Sequence, residues 1–138
     1  MKTTRPRVIM VVAGGSGGHV FPAVAFAQEC AARLGPEDRM VFVTTLGKAF
    51  TEALPTELHP IFCQARRSLP GLCRLAGVAW GLVVQHRPTV VVGFGGYFCA
   101  PFVFFGKVCG ARVVLHEQNM VPGRANRFLR FFADKIAV

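Results

Sequence analysis

Acidic side chains are scarce in this chain. Seven Asp and Glu stand against sixteen Lys and Arg over 138 residues, a formal charge of +9. That imbalance points to an anionic partner, either phosphate groups or an acidic membrane surface. Nucleic acid is not supported, because there is no basic run interleaved with aromatics and no motif for a groove-reading helix or a zinc finger. The five cysteines, Cys30, Cys63, Cys73, Cys99 and Cys109, form no C-x-x-C pair, which removes thiolate zinc and thioredoxin-type sites. Their odd number and apolar surroundings predict buried free thiols in a reducing compartment. No cluster of carboxylates suits a metal, and there is no internal repeat or low-complexity segment. The basic start, Met1 to Arg7, leads into an apolar run that is short and ends in glycines, so it does not read as a signal peptide. One uncharged stretch of nearly membrane-spanning length, Pro88 to Gly106, is broken by Gly93, Gly95, Gly96 and Pro101. A strand, loop and helix fit it better than a membrane span.

What is present is a chain with 52% hydrophobic and 17% charged residues, enough for one globular domain with a real core. Short apolar runs alternate with helical patterns. Strands are expected at Val8–Ala13, Met40–Thr44, His59–Cys63, Val90–Phe94, Arg112–Leu115 and from Lys135 onward. Helices are expected at Pro22–Leu34, Lys48–Leu54, Leu69–His86, Ala100–Cys109 and Gly123–Phe132. The third of these places Leu72, Leu75, Ala76, Ala79 and Val83 on one face. The last turns Ala125, Phe128, Leu129 and Phe132 inward and Arg124, Arg127 and Arg130 outward. Alternation of this kind means βαβ units, hence an α/β domain with a Rossmann-like parallel sheet and helices on both faces. The final strand reads as cut short at Val138, so the chain reads as the first part of a longer protein.

Three stretches carry the chemistry. Gly14-Gly15-Ser16-Gly17-Gly18-His19 lies between the first strand and the first helix, with Pro22 near the first helical position. Strand, glycine turn and helix together aim backbone N–H groups at an anion. The alternative is a tight turn whose glycines serve packing alone. His19 is either a titratable group facing the loop's ligand or an ordinary hydrogen-bonded histidine. The second stretch is Gly95-Gly96-Tyr97 and the third is His116-Glu117-Gln118-Asn119. All three follow strands, so in a parallel sheet they share the carboxyl-end rim, where ligands bind. A Walker A loop is excluded, since His19 and not a lysine follows the last glycine. A dinucleotide fingerprint is disfavoured: Val20 replaces its third glycine, and Thr44 and Thr45 stand where an acid belongs.

Gly14 to Pro22, Gly95-Gly96-Tyr97, and His116-Glu117-Gln118-Asn119 followed by Pro122-Gly123 and Asn126 together resemble the MurG family, in order and spacing along the whole chain. The resemblance implies a two-domain GT-B glycosyltransferase, with residues 1–138 as its N-terminal, acceptor-binding domain and a C-terminal donor-binding domain absent. It implies GlcNAc transfer, with inversion, from UDP-GlcNAc to the C4 hydroxyl of the MurNAc unit of lipid I, without a cofactor or bound metal, at the cytoplasmic face of the inner membrane. Such a transfer needs a base for the acceptor hydroxyl, and His19 is the candidate. The resemblance places Ser16, Gly17, Gly18 and Asn119 against the UDP-sugar. Gly95, Gly96 and Tyr97 are expected to hold the lipid diphosphate. His116 and Glu117 either bind acceptor or brace their loop. Cys99 and Ala100 depart from the family's usual serine-glycine pair. Trp80 with Arg66, Arg67 and Arg74 forms the expected membrane-docking patch; the alternative is a helix packed wholly in the core. Two other readings remain open: a non-catalytic, membrane-recruiting half of a split GT-B enzyme, and a Rossmann nucleotide-binding module.

Overall fold

A computed structural model describes residues 5–14, 17–45, 52, 54–55, 58 and 60–138. Six strands form one parallel sheet in the order β3-β2-β1-β4-β5-β6. They are β1 (Val8–Ala13), β2 (Arg39–Thr44), β3 (Ile61–Phe62), β4 (Val90–Gly93), β5 (Arg112–His116) and β6 (Lys135–Ala137). The helices are α1 (Gly17–Ala31), α2 (Leu69–His86), α3 (Cys99–Val108) and α4 (Arg124–Leu129).

All six residues of β1 are buried, because a central parallel strand is covered on both faces. Val8, Met10 and Val12 pack with Leu75, Ala79 and Val83 of α2 and Phe102 and Val103 of α3. Ile9, Val11 and Ala13 pack with Val20, Ala23, Val24 and Ala27 of α1. β1 and β4 are neighbours, and the chain leaves them in opposite directions across the sheet. That point of reversal opens a crevice at their carboxyl ends.

α2 runs over the expected residues. Ser68 caps it, its hydroxyl oxygen accepting the Gly71 N–H at 3.2 Å. Arg87 ends it in the left-handed region at φ 48°. Its buried face is narrower than the sequence pattern: Leu75, Ala79 and Val83 are buried, Ala76 is half-buried and Leu72 is exposed.

Other boundaries differ. α1 starts at Gly17, five residues before the expected start, and Pro22 lies inside it. Burial of Val20 and Ala23 against β1 outweighs the poor helix propensity of Gly17 and Gly18. α4 is a six-residue helix, and Phe128 is 62% exposed although its partner Leu129 is buried. The Lys48–Leu54 helix and the start of the third strand at His59 fall mainly outside the described residues. The cysteines are not uniformly buried, since Cys73 and Cys109 are exposed. No helix among the described residues is long and apolar enough to cross a membrane.

Candidate active site

His19 sits in the first turn of α1. Its ring lies along the second glycine turn. A Cβ at Gly95 would stand 3.2 Å from its Cε1 and 3.3 Å from its Nδ1, and one at Gly96 would stand 4.0 Å from its Nε2. Both glycines are left-handed, at φ +90° and +82°, where a side chain is strained as well as unaccommodated. The turn after β4 is thus shaped to receive the imidazole. Gly14 behaves differently. A Cβ there would meet Phe98 Cδ1 at 2.5 Å, so at this position the packing explanation holds and the ring of Phe98 takes the space.

The third stretch is tied to the other two. Gln118 Nε2 is in hydrogen-bond contact with His19 Nδ1, 99 residues away. Glu117 is 5% exposed. Its carboxylate accepts the Asn119 N–H at 3.0 Å, the Gly123 N–H at 3.3 Å and the Asn126 side-chain amide at 2.7 Å. Burial works to raise the Glu117 carboxyl, but these three donors outweigh it and hold the group below the ordinary carboxylate range. Glu117 therefore braces its loop as a charged acceptor.

A cavity of about 510 Å³ opens where these parts meet. His19, Gly96, Tyr97, Glu117, Asn119 and Asn126 line it, together with Arg67 and Arg124. Arg67 was expected at the membrane patch. Instead its guanidinium lies 4.9 Å from the Tyr97 ring centroid, and the Tyr97 hydroxyl donates to the Ala65 carbonyl at 3.3 Å. The basic loop before α2 is thereby drawn over the second glycine turn. Arg124 and Asn126 were read only as a solvated charge and a motif residue, and nothing local to them announced the cavity.

Some expected site residues are elsewhere. His116 stacks on Phe94, ring centroids 5.0 Å apart, and is not among the cavity's lining. Gly17 and Gly18 sit at the start of α1, outside that lining, and Ser16 lies outside the described residues. Cys99, which stands where the resemblance has a serine, is fully buried. Its Sγ–H is shared between the carbonyls of Val12 and Gly95, at 3.2 and 3.1 Å, and burial pushes the thiol up to about 12. The N–H groups of Cys99 and Ala100 donate to the carbonyls of Gly96 and Tyr97. Both N–H groups are thus spent on the turn itself.

Residues 9–138 match the model of the glycosyltransferase family 28 N-terminal domain. The chain belongs to this family. Its curated relatives include the UDP-N-acetylglucosamine–N-acetylmuramyl-(pentapeptide) pyrophosphoryl-undecaprenol N-acetylglucosamine transferases of Desulfotalea psychrophila and Alkaliphilus metalliredigens. The first is 34% identical, over 100% of this chain and 40% of the relative. The second is 32% identical, over 94% and 38%. Among solved structures, MurG of Acinetobacter baumannii superposes with a TM-score of 0.74 at 27% identity, over 95% of this chain and 41% of that one. The UDP-GlcNAc 2-epimerase of Methanocaldococcus jannaschii shares the fold at a TM-score of 0.67 and 12% identity, over 94% of this chain and 38% of its own. This family 28 domain spans about two fifths of the length of the relatives it matches.

Proposed function

We propose that this family 28 domain is the acceptor-binding part of an inverting glycosyltransferase that moves GlcNAc from UDP-GlcNAc to the C4 hydroxyl of the MurNAc unit of lipid I, giving lipid II for peptidoglycan. The observation that carries this reading is the meeting of His19, Gly96, Asn119 and Arg67 around one cavity at the sheet's point of reversal. The relatives' shared activity supports the choice of substrates.

In this reading the His19 ring takes the proton of the acceptor hydroxyl as that oxygen attacks the anomeric carbon of GlcNAc, and UDP leaves with the bonding electron pair. Asn119 and the Asn126 amide offer hydrogen bonds to sugar hydroxyls. Arg67 and Arg124 supply positive charge for the acceptor's diphosphate, beside Gly96 and Tyr97. In this reading Ser16, Gly17 and Gly18 contact the UDP-sugar, and the uracil of the donor is held by a C-terminal domain.

The same reading lays the domain on the cytoplasmic face of the inner membrane. Trp80 stacks edge-on against Phe105 at 5.3 Å, and a row of ring contacts continues through Phe104 and Phe132 to Phe128. Trp80, Phe104 and Phe128 are exposed. Arg66, just before α2, and Arg74, within it, are exposed as well. Apolar rings with basic neighbours suit an anionic bilayer.

Titration of a short-chain lipid I analogue into the chain, followed by amide NMR, tests the acceptor assignment. Saturable shifts at Gly96, Tyr97, Asn119 and Gly123 are expected. Shifts confined to other parts of the sheet would overturn it.

A further inference from the structure

Among the described residues, Gln118 is the side chain hydrogen-bonded to Nδ1 of His19, the ring nitrogen facing away from Gly96. Nε2 of the ring stands over Gly96, a residue of the cavity wall, while Nδ1 is met by the Gln118 amide. When the amide NH₂ donates to Nδ1, the neutral ring must carry its proton on Nε2. The nitrogen nearest the cavity then has no lone pair to offer. That orientation also leaves Gln118 Oε1 buried without a donor, a costly state for an amide oxygen. A half-turn about the terminal torsion exchanges the two ends of the amide and leaves the rest of the side chain in place. Oε1 then accepts the Nδ1 proton, and the Nε2 lone pair faces the cavity.

We propose that Gln118 is the positioning residue of His19, and that its amide oxygen, turned to Nδ1, holds the ring in the tautomer whose Nε2 accepts a proton from the acceptor hydroxyl. The proposal rests on the reading of His19 as the base. In the transfer the hydroxyl O–H bond breaks and its proton goes to Nε2. The ring becomes an imidazolium whose Nδ1–H still donates to Oε1. The freed oxygen forms the glycosidic bond, and UDP departs with the electron pair of the bond that breaks. Gln118 reaches the ring because its loop is held by the Glu117 carboxylate on one side and by β5 on the other.

The test is the tautomer itself. ¹⁵N-histidine NMR of the chain near pH 8 reads which His19 nitrogen carries the proton. Nδ1–H is expected in the wild type, and loss of that preference in Gln118→Ala. Gln118→Glu supplies a carboxylate acceptor in the same place and is expected to keep Nδ1–H. Joined to a donor-binding C-terminal half, Gln118→Ala is expected to lose about tenfold to a hundredfold in kcat at nearly constant acceptor KM. Gln118→Glu is expected to regain activity with its acid limb moved to higher pH, since a carboxylate favours the imidazolium. The other charged or titratable groups lining this cavity, Arg67, Tyr97, Glu117 and Arg124, are unchanged between the two variants and cannot produce that difference. A wild-type ring protonated on Nε2, or a tautomer indifferent to Gln118→Ala, overturns the proposal. If the tautomer responds but His19→Ala keeps full turnover, the base assignment fails while the hold of Gln118 on the ring stands.

Discussion

The Glu117 carboxylate and the Asn126 side-chain amide meet at 2.7 Å and close the segment between β5 and α4 into a fixed arch. Two backbone N–H groups, of Asn119 and Gly123, donate to the same carboxylate. Glu117→Ala removes the acceptor from three donors at once. A loss of about 2 kcal/mol is expected, from about 1–3 kcal/mol for polar groups left unsatisfied. Urea denaturation of the two proteins measures it. Glu117→Gln keeps the size but offers one neutral acceptor oxygen, and is expected to fall between them.

The same carboxylate sets an acid limit. Its folded value is depressed, so at intermediate pH the unfolded chain binds the extra proton and the folded chain does not. The stabilisation is complete above the ordinary carboxylate value, about 4.3, and drains away as pH falls through the folded value. Asp38, hydrogen-bonded by the Arg7 side chain, and Asp134, hydrogen-bonded by Lys107, add terms of the same sign. Amide shifts of Asn119 and Gly123 are expected to titrate together below the ordinary carboxylate value, and Glu117→Gln is expected to abolish that step. A step centred above the ordinary carboxylate value would contradict the assignment.

Part of this was legible in the residues alone. α2 was readable end to end because its signal is local, apolar residues at helical spacing; the Ser68 cap that the structure shows is local as well. The central strands β1 and β4 were readable because a doubly covered parallel sheet demands short, wholly apolar runs. The start of α1 was not, because glycine propensity argues against a helix and only packing of Val20 and Ala23 under β1 decides for one. The cavity's two arginines were not either. Arg67 reaches the site through a contact with Tyr97, thirty residues on, and Arg124 through the arch that Glu117 holds. The pairing of Gln118 with His19 crosses 99 residues, and no periodicity reports a contact of that kind.

The thiol of Cys99 bridges two carbonyls in the core, whereas Cys73 and Cys109 are exposed. With burial holding it up to about 12, its thiolate is negligible at neutral pH. Iodoacetamide at pH 8 is expected to label Cys73 and Cys109 rapidly and Cys99 only after denaturation. Mass spectrometry of the native digest checks this, and early labelling at Cys99 would show that the turn after β4 opens readily.

The bilayer assignment predicts a loss on one face. Trp80→Ser with Arg74→Glu is expected to weaken binding to phosphatidylglycerol vesicles by more than about tenfold, since each basic residue near the surface is worth about 1 kcal/mol. Co-sedimentation reads it directly. Unchanged binding would place the membrane contact elsewhere on the domain.

The central claim is that the cavity at the strand ends gathers an imidazole around an acceptor hydroxyl. Its most direct test is GlcNAc transfer from UDP-GlcNAc to lipid I by the chain joined to a donor-binding C-terminal half, wild type against His19→Ala. The account predicts that turnover falls by about a hundredfold or more while UDP-GlcNAc affinity stays near wild type. Turnover retained in His19→Ala, with the fold intact, would contradict it.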